Sequence, residues 1–277
     1  MTRPGPFKRM VIGLPQSMTN RAAVDAAAAL AEDLHIELLA TFLADDSLHT
    51  LAGLPAVREL RLLEQGWQAI DFEQIARDID RAAGVARRRI AEIAGGRAIE
   101  THFDIVTGAA MLASKIRADD IVAIIEPAHP GEPITTQFTG LFAAAMATAA
   151  AVLVLPHRIA RTAGPVVAVA AGPADPSIRV ALGLAAALKE RLIVLTRFDA
   201  NMSVELISEA NRLGVVVERI AALGPASDVF TAVSFLPAAR ERLRVVTGSS
   251  IPDDALRLFS TLRGVPLLVV EPRPQLA

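Results

Sequence analysis

Two stretches of the chain close in the same way. Val152-Leu153-Val154-Leu155-Pro156-His157-Arg158 and Leu267-Leu268-Val269-Val270-Glu271-Pro272-Arg273 are short β-branched runs stopped by a proline and an arginine. Each has a matching opening, Met10-Val11-Ile12-Gly13-Leu14 and Val166-Val167-Ala168-Val169-Ala170, and each opening leads into an alanine-rich helical pattern. A repeated opening and a repeated close predict two copies of one α/β unit. The copies lie about 156 residues apart at their opening strands, but about 116 apart at Gly108 and Gly224 and at Val154 and Val269. An insertion of roughly 40 residues between the second and third strands of the first copy accounts for the difference. The expected units are 1–158, with a helical insertion at about 47–95, and 159–277, joined through a hinge at 159–164.

Within each unit, apolar runs alternate with helical patterns. In the first, strands are expected at 9–14, 36–43, 100–106, 120–125 and 151–155, and helices at 20–34, 109–117 and 138–149. The insertion reads as a helical turn at 47–51, a break at Gly53-Leu54-Pro55, a helical pattern at 56–70 and an amphipathic helix to Ala94. In that last helix Phe72, Ile75, Ile79, Val85, Ile90 and Ile93 approximate one apolar stripe, while Arg87, Arg88 and Arg89 point away from it. The second unit repeats the order: strands at 165–170, 191–197, 215–221, 243–247 and 266–270, helices at 176–189, 202–213, 226–239 and 253–262. Continuous apolar runs such as Ile121-Val122-Ala123-Ile124-Ile125 fit strands covered on both faces, as in a parallel sheet with right-handed crossovers.

Composition removes several kinds of function. With 277 residues, 52% of them hydrophobic, there is material for two cores. The net charge of −2 and the scatter of basic residues leave no footprint for nucleic acid or an anionic membrane. The absence of cysteine excludes disulfides, thiolate metal sites and thiol nucleophiles, and fits a reducing cytoplasm. The uncharged stretch between Pro133 and Pro156 is alanine-rich and broken by threonines, so it reads as a helix and a buried strand rather than a membrane span.

The phrases Asp175-Pro176-Ser177-Ile178-Arg179-Val180-Ala181-Leu182, Val106-Thr107-Gly108-Ala109-Ala110, Ala222-Leu223-Gly224-Pro225-Ala226 and Ala118-Asp119-Asp120-Ile121-Val122 resemble those of tandem universal stress proteins. Leu38-Leu39-Ala40-Thr41-Phe42-Leu43-Ala44-Asp45-Asp46-Ser47-Leu48, followed by Leu51-Ala52-Gly53-Leu54-Pro55, is similar to a proteobacterial two-domain branch of that family. The resemblance implies two doubly wound α/β domains of the adenine nucleotide alpha-hydrolase-like type. Each would hold a five-stranded parallel sheet of order 3-2-1-4-5, with any ligand at the carboxyl ends of the central strands. Nucleotide-binding members hold ATP there with an acid at the end of the first strand and a glycine-rich loop after the fourth. Glycines let backbone N–H groups approach phosphate, and the following helix N-terminus favours anions.

This chain departs from that pattern in both units. The first strands end Leu14-Pro15-Gln16 and Ala171-Gly172, without the carboxylate, and Asp175 comes a few residues late. After the fourth strand the first unit keeps Gly131 and Gly140 but has Ala128 for the first glycine and Leu141 for the hydroxyl residue, with Glu126 and Glu132 adding negative charge. The second keeps Gly248-Ser249-Ser250 and then runs into Pro252-Asp253-Asp254. Degenerate nucleotide sites are therefore expected, with no cofactor. If a nucleotide such as ATP or AMP, or another small anion, does bind, the candidate residues are Thr107, Gly108, Gly131, Thr139, Gly140, Gly248 and Ser249.

No catalytic set emerges. His35, His49, His102, His129 and His157 show no ligand spacing, so no metal site is expected. Gly248-Ser249-Ser250 lacks the second glycine of a nucleophile elbow. Asp45-Asp46, Asp119-Asp120 and Asp253-Asp254 read as caps and solvated edges. Trp67, near Leu60, Leu63 and Ile70, reads first as cover for the sheet and second as a partner-binding surface. The expectation is a cytoplasmic binding or regulatory module acting through a protein partner or a homodimer, its two units joined by their exposed fifth strands. A nucleotide-binding stress sensor or weak ATPase is the alternative.

Overall fold

The computed structural model describes residues 7–15, 20–44, 58–61, 66–69, 71–126, 134–196, 202–221, 240–248 and 264–271. The first half runs β1 (Arg9–Pro15), α1 (Arg21–Leu34), β2 (Glu37–Ala44), β3 (Arg58–Arg61), β4 (Gly66–Ala69), α2 (Phe72–Ala94), β5 (Thr101–Thr107), α3 (Gly108–Ala113), β6 (Asp120–Ile125), α4 (Ile134–Thr148) and β7 (Ala151–Leu155). The second half follows with β8 (Val166–Ala170), α5 (Pro176–Leu188), β9 (Leu192–Thr196), α6 (Val204–Leu213), β10 (Val217–Ala221), β11 (Leu243–Thr247) and β12 (Leu267–Val270). The helices expected at 226–239 and 253–262, the turn at 47–51 and the break at 53–55 lie outside the described residues.

Ten strands form one sheet in the order β10-β9-β8-β11-β12-β7-β6-β1-β2-β5. Numbered within its own half, each set of five has the order 3-2-1-4-5, and every pairing inside a half is parallel. At the centre β7 and β12 pair antiparallel, Val154 opposite Leu267 and Ala151 opposite Val270. The fifth strands are joined, as β-addition between unpaired edges favours. The turn before β12 meets the linker here: Ala160 N–H donates to the Gly264 carbonyl at 2.7 Å. Gly264 has φ +62, and a Cβ there would lie 2.4 Å from the Arg158 carbonyl oxygen, so only glycine fits.

Because neighbouring strand residues face opposite sides, the apolar runs build two core layers. On one face Met10, Ile12, Leu14, Phe42 and Leu153 continue through Leu268, Val245 and Val194 beneath α1, α2 and α5. On the other, Val11, Val122, Val152 and Val269 meet Leu112 of α3 and Leu141 of α4. Local chemistry fixes the helix ends. The Asn20, Asp71, Asp175 and Ser203 side chains accept N–H groups at the starts of α1, α2, α5 and α6. His35, Lys189 and Gly214 close α1, α5 and α6 in the left-handed conformation.

The insertion is not helical throughout. Residues 58–69 contain a two-stranded antiparallel hairpin, β3 with β4, in which Leu60 sits opposite Trp67. Trp67 is 65% exposed, so it is not sheet cover. In α2 the buried stripe is Ile79, Ala83, Ala86, Ile90 and Ile93, with Val85 only half-buried beside it. Arg87, Arg88 and Arg89 are exposed as expected, and Arg87 stacks over Phe103 of β5 at 5.1 Å. α4 begins at Ile134, earlier than its sequence pattern suggests.

Candidate functional site

In an open parallel sheet the crevice for a ligand opens at the carboxyl ends of the strands where their order reverses. Here there are two such places, between β1 and β6 and between β8 and β11. Asn20 lies five residues beyond the end of β1 and caps α1; Asp175 lies five beyond the end of β8 and caps α5. The fourth strands correspond as well. Ile12 pairs with Ala123, and Val167 pairs with Arg244, which sets Glu126 and Thr247, three residues on, at matching positions.

Across the second crevice a side chain from the cap meets one from the fourth strand. The Asp175 carboxylate accepts the Ala171 N–H at 2.8 Å and the Ser177 N–H at 2.9 Å. It also accepts the hydroxyl of Thr247, the last residue of β11. The Ser177 N–H at the start of α5 and the Ala171 N–H after β8 thus already serve a carboxylate, whose charge faces the crevice. Ser177, buried beneath this turn, donates its hydroxyl to the Val169 carbonyl at 3.4 Å.

In the first crevice the cap is neutral and the acid sits on the strand. The Asn20 oxygen accepts the Ala23 N–H at 3.0 Å, and its amide donates to the His157 carbonyl at 2.7 Å. Glu126, 3% exposed, follows β6, its backbone N–H donating to the Leu155 carbonyl at 2.9 Å. Leu141 stands where nucleotide-binding relatives would present a hydroxyl, and it is a core residue. It is 3% exposed and packs so closely over Gly13 of β1 that a Cβ there would come within 2.9 Å of its Cδ2. Among the described residues, the cap and strand-end positions of each crevice therefore hold one carboxyl group and one neutral polar side chain, in exchanged positions.

The described residues among those expected from sequence lie on different elements. Thr107 ends β5, the outer strand of the first half, and Gly108 opens α3 with φ +75, a turn that favours glycine. With β1 and β2 between β5 and β6, this turn lies about 10 Å from β1, at two strand spacings. Thr139 and Gly140 are inside α4 rather than in a loop. Gly248 follows Thr247 in the other half, and Gly131 and Ser249 lie outside the described residues. Asn20 and Thr247 are not among the residues expected from sequence; the equal five-residue spacing of Asn20 and Asp175 emerges only with β1 extending to Pro15.

The remaining polar groups are structural. Asp120 is buried at the start of β6 in a two-point pair with Arg9 at 2.7 and 3.1 Å, which raises the Arg9 pKa. Asp119 pairs with Lys8 at 3.0 Å. His35 is a helix cap and His102 meets Glu100 at 3.1 Å, while His49 and His129 lie outside the described residues. Among the described residues no cluster of three metal-ligating side chains occurs, and no helix is long and apolar enough to cross a membrane.

No protein-family model matches the sequence, and no curated protein does. Solved structures do match. A universal stress protein from Archaeoglobus fulgidus DSM 4304 superposes with a TM-score of 0.62 at 14% identity, covering 94% of this chain and 96% of that one. The fold is that of a universal stress protein. A protein provisionally assigned as a universal stress protein from Pseudomonas aeruginosa UCBPP-PA14 gives a TM-score of 0.48 at 14% identity, covering 95% and 93%. A functionally unknown protein from Pseudomonas aeruginosa PAO1 gives 0.49 at 14% identity, covering 95% and 92%. The universal stress protein fold positions both switch points described above; at this identity the likeness extends to architecture alone.

Proposed function

We propose that this chain is a cytoplasmic, universal-stress-protein-like binding and regulatory module of two degenerate units, acting through a protein partner or a second copy of itself and hydrolysing no nucleotide. One observation carries the reading: the Asp175 carboxylate takes the Ser177 N–H at the start of α5 and the Ala171 N–H after β8, and is tied across the switch point to Thr247. A phosphate charge about 4 Å from that carboxylate meets ~1 kcal/mol of repulsion in water and ~4 kcal/mol near a protein surface. The attraction of a helix N-terminus for an anion, ~0.3–1 kcal/mol at an exposed end, does not offset it. Thermal-shift titration with ATP, ADP and AMP, with and without magnesium, tests the proposal. No saturable rise in melting temperature is expected; a saturable rise with any of them defeats it.

The alternative, an ATP- or AMP-binding sensor or weak ATPase, is supported by the neutral Asn20 cap of the first half, which lacks the charge that Asp175 brings to the second. Under that reading AMP stabilises the protein, and Asn20→Asp, which retains a good cap while adding the charge, removes the effect.

A further inference from the structure

At the opposite edge of the sheet, where α5 and α6 end and β9 and β10 begin, lies a half-open cavity of about 260 Å³. It arises because both helices stop with left-handed caps. Lys189 N–H donates to the Ala185 and Ala186 carbonyls, and Gly214 N–H to those of Ala210 and Asn211. The last helical carbonyls are therefore served, and side chains supply the chemistry of the cavity. Its apolar wall includes Leu213, 37% exposed, and Val216, 70% exposed, two large hydrophobic residues left in contact with water at one place. Its ionised lining is Lys189, Glu190 and Arg191, a net charge of +1.

The three charges are not equivalent. A Glu190 oxygen accepts the Gly164 N–H at 2.8 Å. Arg191 gives one of its five donors to Glu218, at 3.0 Å, and Lys189 is exposed, its ammonium group making no hydrogen bond or ion pair among the described residues. Donors exceed acceptors, beside an apolar wall. We infer that this cavity takes a small amphipathic carboxylate, its apolar body against Leu213 and Val216 and its anionic head on Lys189 and Arg191. Its size sits just below the 300–1,000 Å³ usual for ligand pockets, which restricts the occupant to a compact monoanion.

Octanoate, octanol and octylamine, titrated separately into the full-length protein and followed by melting temperature and calorimetry, test the inference. Octanoate should bind saturably and at least tenfold more tightly than the amine or the alcohol. Lys189→Asn, a residue that tolerates the backbone φ of 55° there, should weaken octanoate about tenfold. Val216→Asp, at a position already in water, should abolish binding while the free protein melts within a few degrees of the parent. Equal response to octanoate and octylamine, no saturable response to octanoate, or octanoate binding unchanged in either folded variant would overturn the assignment.

Discussion

Asp175 and Asn20 hold equivalent caps with different consequences, and the difference is one charge. An asparagine and an aspartate stabilise a helix start about equally, so capping alone does not explain the choice. Thr247, buried at the end of β11, makes the second crevice a closed circuit of hydrogen bonds. Elsewhere two acids, Asp25 and Glu32, tie α1 to the strand approach of β5 through Arg97. Glu32 accepts the Ala98 N–H at 3.0 Å and pairs with Arg97 at 3.0 Å, contacts that hold its carboxyl below the ordinary 4.5. A depressed carboxyl contributes stability above its unfolded pKa and loses it as pH falls through the folded value. Melting temperature should accordingly fall once pH drops below about 4.5, less steeply in Glu32→Gln, when both are scanned from pH 6 to pH 3. Arg244 is the residue that sequence pattern misreads most. It sits inside an apolar strand, is 0% exposed, and pairs at 2.8 Å with Glu241, itself 1% exposed.

Among the elements, the hairpin of β3 and β4 shows how a pattern misleads. Leu60, Leu63, Trp67 and Ile70 recur at three- and four-residue spacings, which reads as a helix face. The two segments instead pair antiparallel with Leu60 opposite Trp67, an arrangement that no helical period encodes. Trp67→Ala should change stability by no more than about 0.5 kcal/mol, because it removes exposed surface. Ile90→Ala, in the buried stripe of α2, should cost about 2–5 kcal/mol, with both measured by urea unfolding. A large loss at Trp67 would show that the hairpin packs on the core. The stripe itself was nearly legible: Ile79, Ile90 and Ile93 were read correctly, but Val85 was taken for Ala86 because bulk, rather than the 100° step, drew the reading.

For the whole molecule, the continuous sheet and the two core layers that cross β7 and β12 couple the halves. Arg242, just before β11, reaches Asp33 of α1 at 2.6 Å and adds a polar tie across the same seam. Calorimetry should therefore give one unfolding transition, with calorimetric and van't Hoff enthalpies equal; two resolved transitions would mean that the halves fold apart. The sequence by itself determined the alternation of strands and helices, the continuous apolar runs of strands covered on both faces and the poor match to a phosphate loop. Those properties follow from local periodicity, strand length and the identity of a few loop residues. Only the tertiary structure decided the register of β7 against β12, that Asp175 reaches Thr247, that Leu141 belongs to the core over Gly13, and that two helix ends leave a cavity beside Lys189. Each of these depends on groups 72 or more residues apart, or on where backbones stop, and neither quantity is carried by the pattern of any single segment.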